Sequence, residues 1–404
     1  MNALPPRLRS HVVILGGGFT GAAVAWHLAR QSARPLITVI EPRPFLGGGL
    51  AYSSEEPSHR VNVPASRMSL SPDEPEHFLR WLAHDGGAER DPDSVWRDGD
   101  IFPQRRVFGR YVAEQLAPHI ASGAIRHVRD RASDVRRNGD GWIVTASGQP
   151  IAADIVVLAM THPSPDVPVA LEPIADADGF VADVYSGDAL GSIDPEASVL
   201  IVGSGLTSAD TVFDQLRLQG PVIWSALKKD ERTRLVRRLR AFWDVHRFRI
   251  APQVQAVLDR RHAEGTFDNI AASLVASNDD GDGLAVTLRR RGQRQFETMH
   301  FDAVINTTGP AHGKTLRTNP ALRSLGDASL IRIDSHGLGI ATGRDSRAVG
   351  PDGEPVPGLF IAGPLARGTF GELMGLPEVA RHAQAVASEI ESRFGALSSI
   401  VSGR

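Results

Sequence analysis

"HVVILGGGFTGAAVAWHLAR", residues 11 to 30, sets three consecutive glycines between an apolar run and a segment of helical composition. Residues 12 to 15, "VVIL", read as a short all-apolar strand, and the Ala- and Leu-rich stretch after the glycines reads as a helix. "LITVIE", from Leu36 to Glu41, reads as a second strand, so the three together make a βαβ unit. Gly16, Gly18 and Gly21 fit G-x-G-x-x-G at the end of the strand and the mouth of the helix, with Phe19 and Thr20 between the last two. The first glycine permits the tight turn, the second lets a pyrophosphate approach the main chain, and the third lets helix and strand pack closely. The helix dipole then faces the phosphates. Such a triplet also serves ordinary turns, but here Glu41 follows Gly21 by 20 positions, at the end of the next strand. An acid at that place can accept from both ribose hydroxyls, and the bare backbone is read as a dinucleotide site.

A second start, "VLIVGSGLTSADTVFDQL" (199 to 216), repeats the order of strand, glycine turn and helix, with Gly203, Gly205 and a small residue, Ser208, in the third place. Lys228 lies 20 positions beyond Ser208, beside Lys229 and just after Ser225. A cation there suits a 2′-phosphate and favours NADPH over NADH, whereas an acid would favour NADH. The competing reading makes these lysines ordinary surface residues at a helix start.

Composition narrows the field. The 404 residues carry 44 Lys and Arg against 47 Asp and Glu, a formal charge of −3, which argues against nucleic acid as the main partner. There is no cysteine, so disulfides, thiolate metal sites, Fe–S clusters and every dithiol mechanism are excluded. Disulfide reductases share a double-fold plan, but their dithiol step cannot run here. "MNALPPRLRS" lacks the apolar core of a signal peptide, and no apolar run approaches the roughly 20 residues of a membrane helix. The expectation is a soluble, cytoplasmic protein with neither membrane nor nucleic-acid partner. No H-E-x-x-H, clustered His or G-x-S-x-G occurs, and no metal site is expected.

Elsewhere the chain alternates. From Gly47 to Ser71 it is rich in Gly, Ser, Pro and Asn, a long excursion of the kind that forms binding loops. Helices are expected at Pro75 to His84, Val107 to Leu116 and Glu378 to Glu391, and strands at "WIVTAS", "IVVLAM", Ala285 to Arg289, "DAVINTTG" (302 to 309) and "GLFIAGP" (358 to 364). A Pro-rich connection runs from Thr161 to Val169.

Two glycine starts and a late "GLFIAGP" strand resemble a flavoprotein with two dinucleotide folds. The strings "GGGLAYSSEEPSHRVNVPASRMSLSPDEPEHFLRWL" (47 to 82), "FPQRRVFGRYVAEQL" (102 to 116), "VLIVGSGLTSAD" (199 to 210), "LRAFWDVHRFRIAP" (239 to 252), "DAVINTTGP" (302 to 310) and "GLFIAGPLARGTFGELMGLPEV" (358 to 379) resemble the bacterial FAD/NAD(P)-binding family that includes FAD-dependent urate hydroxylases. More distant flavin N-hydroxylases acting on amines and amino acids share the architecture. The resemblance implies FAD on the first fold, its ADP half held by Gly16, Gly18, Gly21 and Glu41, and a nicotinamide cofactor on the second. It also brings "RVNVPASRM" toward the isoalloxazine, and Gly363 with Pro364 toward the flavin ribityl or phosphate. The chain departs from its relatives at Met160, Thr161 and His162, where they carry a small residue and glycine, and in a shorter segment around Ser225.

For flavin-dependent hydroxylation the cofactor carries the chemistry, and the protein supplies a polar or cationic group beside it and a dry pocket. Asn62 and Arg67 are the candidates for flavin contacts, although Arg67 serves equally to anchor its own loop. His59 is a candidate proton relay, or else a solvated loop histidine. Arg105, Arg106 and Arg110 flank a helix start and either clamp pyrophosphate or an anionic substrate, Arg106 foremost, or form surface pairs. The basic stretch from Lys228 to Arg249 reads as a packed helix with a solvated face, with Trp243, Asp244, His246 and Arg247, near its end, as candidate cleft residues.

The expected fold class is α/β, with two Rossmann-like dinucleotide-binding domains, the second inserted in the first. FAD-binding segments are expected at 1–190 and 301–404, with an NAD(P)-binding domain at 191–300. The expected function is an FAD-dependent oxidoreductase, an NAD(P)H-dependent monooxygenase. With molecular oxygen it would hydroxylate a small polar nitrogenous molecule, a urate-like purine or an amine or amino acid. The alternative is an FAD-binding protein without nicotinamide-driven turnover: an oxidase, redox sensor or scaffold.

Overall fold

A computed structural model of the chain describes residues 10–160, 163–184, 189–194, 196–203, 228, 230–232, 250–308, 314–371 and 373–402. It opens with β1 (His11–Leu15), α1 (Phe19–Ala29), β2 (Leu36–Ile40), α2 (His77–His84), α3 (Arg105–Ala121), β3 (Ile125–Val128), β4 (Ala132–Asn138), β5 (Gly141–Ala146), β6 (Gln149–Ala153) and β7 (Ile155–Leu158). It continues through β8 (Phe180–Val181), β9 (Val199–Val202), α4 (Pro252–Ala263), β10 (Ala272–Asp279), β11 (Leu284–Arg290), β12 (Glu297–Phe301) and β13 (Ala303–Asn306). It closes with α5 (Pro320–Asp327), β14 (Arg347–Val349), β15 (Pro355–Ile361) and α6 (Leu376–Ser402). Contacts divide it into two units: the described residues of 1–162, 208–253 and 312–404, and those of 163–207 and 254–311.

The first unit is built on a six-stranded sheet in the order β14-β15-β7-β1-β2-β3. β1 runs parallel to β2 and β7, β2 to β3, and β7 to β15, while β14 is antiparallel to β15. Val12, Val13 and Ile14 on β1 and Val156, Val157 and Leu158 on β7 have no exposed surface. Strands buried on both faces are continuous apolar runs rather than alternating ones, which is why "VVIL" and "IVVL" are so uniform. α1 follows the same logic. Ala22, Ala23, Val24, Ala25 and Leu28 are all fully buried, because the helix lies between the sheet and α6.

A three-stranded antiparallel sheet, β4-β5-β6, leads into β7 and buries Trp142, whose ring stacks under the Arg137 guanidinium at 4.1 Å. α3 runs beyond the expected Val107 to Leu116: it continues through Pro118, and Ser122 N still donates to Pro118 O at 3.0 Å. α6 likewise exceeds Glu378 to Glu391. α5, not anticipated, starts at Asn319, whose Oδ1 accepts from Ala321 N and Leu322 N, with Pro320 in the first turn.

The second unit has a parallel sheet, β8-β13-β9, and an antiparallel one, β10-β11-β12. Its core gathers Leu171, Ile174, Leu284, Val286, Phe301 and Val304. Asn306, fully buried at the end of β13, donates to Asp166 O and Ala182 O and accepts from Thr308. Its polar groups are thus satisfied, which is what allows an amide in that position.

Burial pushes two imidazoles of the first unit down to about 4: His27, where Arg30 adds to the effect, and His382. An unfolded histidine titrates near 6.5, so between about 4 and 6.5 the unfolded chain binds more protons than the folded one. Stability is therefore lost as pH falls through that window, with a slope of up to about 2.7 kcal/mol per pH unit for two such groups. Urea unfolding across the window should show this slope, and His27→Phe should flatten it by one proton. Equal slopes for the two proteins would contradict the assignment.

Candidate functional site

The turn after β1 is shaped by main-chain contact. Gly16 has φ +97°, and a Cβ there would lie 2.7 Å from Ala159 O, the carbonyl just beyond β7. A Cβ on Gly21 would lie 1.9 Å from Gly16 O, and one on Gly17 2.5 Å from Leu46 Cδ2. Packing therefore demands glycine at Gly16 and Gly21 and crowds Gly17, the middle residue that G-x-G-x-x-G leaves undefined. Gly18 caps α1, has no side chain to accept from the first-turn amides, and is followed by no acid in that turn. Those amides, with Phe19 and Thr20 first, therefore face an incoming anion with the helix dipole behind them. The Phe19 ring turns into an aromatic cluster with Tyr52 and Phe108, at 6.3 and 5.5 Å between centroids, so its contribution to a ligand is its backbone.

The second glycine triplet completes the cradle. Gly47 N donates to Gly17 O at 2.7 Å. A Cβ on Gly18 would lie 3.3 Å from Gly49 Cα, and one on Gly49 would lie 2.8 Å from Gly18 Cα. Two bare main chains thus meet at the carboxyl edge of the sheet, where open α/β folds bind their ligands. The sequence reading placed a binding loop here without singling out Gly47 or Gly49. A second triplet six residues after the acid was the available signal.

Glu41, 4% exposed, ends the next strand. Its Oε2 accepts from Gly17 N at 2.9 Å, and its Oε1 from Arg43 N at 3.2 Å and Arg43 Nη1 at 2.9 Å. Oε1 is thereby filled, but Oε2 has capacity for a further bond, so Glu41 both ties the turn to β2 and retains room for one hydroxyl donor. Gly363, beyond β15, reaches the same edge, and a Cβ on it would lie 2.6 Å from Thr20 Oγ1. Pro364 follows in the first turn of a short 3-10 helix.

The segment carrying His59, Asn62 and Arg67 is zipped to 101–105. Val61 N donates to Pro103 O, Ala65 N to Ile101 O and Arg105 N to His59 O. Arg60, absent from the sequence-level candidates, secures it. Its Nη1 and Nη2 each lie 2.9 Å from an oxygen of Asp91, and Nη1 also donates to Phe102 O at 3.0 Å. His59 Nδ1 is 2.7 Å from Ser54 Oγ. Asn62 is half-buried and Arg67 exposed. The three arginines of α3 do not converge. Arg105 Nε donates to Arg60 O, Arg106 pairs with Glu55 at 3.1 Å, and Arg110 pairs with Asp85 at 2.6 Å.

In the second unit Gly203 follows β9 with φ +142°, and a Cβ there would lie 2.6 Å from Thr307 O. This repeats the first fold, in which Gly16 lies against the carbonyl beyond the neighbouring parallel strand. Lys228 is exposed, and its amide donates to Glu231 Oε2 at 2.8 Å. Gly205, Ser208, Ser225, Lys229, Trp243, Asp244, His246, Arg247, Thr161 and His162 lie outside the described residues. Met160 is held from another direction, because Asn319 Nδ2 lies 3.3 Å from its Sδ. A separate concavity of about 660 Å³, lined by Arg30, Arg34 and His119 among others, opens at the start of β2, the end of the sheet opposite the glycine turn. Among the described residues there is no His, Cys, Asp and Glu cluster able to hold a metal, and no helix long and apolar enough to cross a membrane.

Residues 13–163 match a family profile described as FAD-NAD(P)-binding. No curated protein sequence matches the chain. Among solved structures, an ornithine N-hydroxylase from Kutzneria sp. 744 with reduced FAD, NADP+ and L-ornithine aligns with a TM-score of 0.69 at 16% identity. The alignment covers 96% of this chain and 100% of that one. An L-lysine 6-monooxygenase from Pseudomonas syringae aligns with a TM-score of 0.68 at 20% identity, covering 95% and 99%. An FAD-bound cadaverine monooxygenase from Erwinia amylovora aligns with a TM-score of 0.70 at 13% identity, covering 96% and 95%. The chain is thus similar to these proteins over nearly its whole length, and it has an α/β dinucleotide-binding fold of the kind seen in flavoprotein monooxygenases.

Proposed function

We propose that the protein is an FAD-dependent monooxygenase that draws reducing equivalents from NAD(P)H and hydroxylates a small polar nitrogenous molecule. The observation that carries this reading is the double glycine cradle at the carboxyl edge of the sheet, with the uncapped amino end of α1 above it and Glu41 beside it. The cradle fits the group: Gly16, Gly18 and Gly21, with the amides of Phe19 and Thr20, would hold the pyrophosphate, and Glu41 would accept from ribose. Gly363 and Pro364 would bound the site from β15. FAD would supply hydride acceptance and oxygen activation.

The chain's own residues then bind, orient and keep the site dry. Arg60 fixes the segment that carries Asn62 and Arg67, which would contact flavin or substrate. With His59 Nδ1 engaged by Ser54, a proton relay there would run through Nε2. The glycine signature at Gly203, Gly205 and Ser208 would belong to a nicotinamide-nucleotide fold, and the sequence spacing of Lys228 would favour NADPH over NADH. Three structural neighbours whose titles name ornithine, lysine and cadaverine support an amine or amino-acid nitrogen ahead of a urate-like purine, the class offered by resemblance.

The test is the visible spectrum of the purified protein under anaerobic conditions, before and after NADPH or NADH, followed by readmission of oxygen with amine, amino-acid and purine candidates. A flavin band that bleaches faster with NADPH, and a product one oxygen heavier than its substrate, are expected. A band that stays oxidised with both nucleotides would overturn the nicotinamide-driven reading in favour of an oxidase, sensor or scaffold.

A further inference from the structure

His382, on α6, is only 6% exposed, and its ring packs on Phe370 with centroids 4.5 Å apart. Its Nδ1 lies 3.0 Å from Gly363 N. A backbone amide can only donate, so Nδ1 is the ring nitrogen without a proton and Nε2 carries it. Nε2 lies 3.1 Å from Ser346 Oγ, to which it donates. The ring therefore bridges the Gly363 main chain and the Ser346 side chain, two residues that share left-handed geometry, Gly363 at φ +69° and Ser346 at φ +62°. For Ser346 that geometry is uncommon in a non-glycine residue.

What the ring holds matters because of where Gly363 lies. β15 and β1 flank β7, so the turns that follow β15 and β1 share one edge of the sheet. The main chain of Gly363 is pressed against Thr20, in the first turn of α1. Among the described residues the Gly363 amide has no other acceptor, and a buried amide without one costs free energy comparable to a lost hydrogen bond. The imidazole supplies that acceptor from below, on a rigid ring anchored at its far side by Ser346.

We propose that His382 is a positioning residue: as the neutral Nε2–H tautomer it fixes the Gly363 main chain against Thr20 and so sets one wall of the dinucleotide site. The inference rests on the assignment of FAD to that site. The geometry asks specifically for an acceptor at the Nδ1 position. Asparagine can place a side-chain oxygen there, whereas glutamine reaches instead toward the Nε2 position and Ser346, and leucine offers neither.

The experiment compares wild type, His382→Asn, His382→Gln and His382→Leu as purified holoprotein, diluted through a concentration series while released FAD is read by its fluorescence. The Asn variant should retain FAD nearly as wild type does, while the Gln and Leu variants should bind about tenfold more weakly, the effect of one lost hydrogen bond to a buried amide. A purely structural role would weaken Asn and Gln alike, and that result, or equal affinity throughout, would overturn the proposal. Wild type that binds no FAD would instead overturn the FAD assignment itself. Should a variant fail to fold, nitrogen-15 NMR of the wild-type ring decides, because a proton found on Nδ1 excludes the bond to Gly363.

Discussion

Replacing Gly18 with valine should leave a folded protein that has lost its flavin. The backbone at Gly18 is extended, φ −64° and ψ −172°, so an L side chain is conformationally allowed. A Cβ would meet Gly49 Cα at 3.3 Å, a contact that a few tenths of an ångström relieve. The branched methyl groups, by contrast, would occupy the space above two bare main chains where a pyrophosphate needs to approach. FAD affinity should fall at least about 100-fold, roughly 2.7 kcal/mol, with circular dichroism unchanged. Gly21→Ala should behave in the opposite way. Its single added carbon meets Gly16 O at 1.9 Å, backbone against backbone, and overpacking that cannot relax costs about 3 kcal/mol or more. The fold should weaken before binding can be measured. Flavin retained by Gly18→Val would show that the pyrophosphate does not pass over this turn.

The contrast between these two glycines marks what is legible in a sequence. G-x-G-x-x-G encodes the local approach of Gly21 to Gly16 O, although the partners of Gly16 and Gly18, Ala159 and Gly49, lie far along the chain, and Glu41 is placed by the length of one helix and one strand. Such local rules carried the βαβ unit, and the late strand was legible as an apolar run. Interactions between distant segments left no comparable trace. His382 is 19 residues from Gly363 and 36 from Ser346, and its part is set by how α6 packs, not by its neighbours in the chain. The arginines of α3 show the converse: Arg105, Arg106 and Arg110 share a helix and a plausible purpose, yet each finds a different partner. The antiparallel strands β10 and β12 were missed for another reason. Their residues are mostly exposed and mix apolar with polar types, so neither burial nor alternation stands out. α5 was legible in principle, since Asn319 and Pro320 form a start signal, but its eight residues hold little periodicity.

Asp91→Ala should cost about 3 kcal/mol of stability and loosen the segment that presents Asn62 and Arg67. The Arg60 and Asp91 side chains are 10% and 20% exposed and meet as a two-pronged pair. Truncating the acid would leave a guanidinium in a place that water reaches poorly, with Phe102 O the one acceptor left to it among the described residues. Losing one partner of a buried pair typically costs about 3–5 kcal/mol, whereas exchanging both for apolar residues of similar volume is often neutral. The exposed edge of Asp91 puts the expected value at the low end of that range. The double variant Arg60→Met with Asp91→Leu should therefore be more stable than Asp91→Ala alone, although it removes more of the native interaction. The Arg106 to Glu55 pair supplies the control, because its side chains are 45% and 85% exposed, and Glu55→Ala should fall within about 0.5 kcal/mol of wild type. If urea unfolding gave Asp91→Ala no larger an effect than Glu55→Ala, Arg60 would be a surface group and the segment would owe its place to its backbone bonds alone. If the ordering holds, the same variant should weaken substrate saturation as well as stability, since the arginine that is orphaned lies two residues from Asn62.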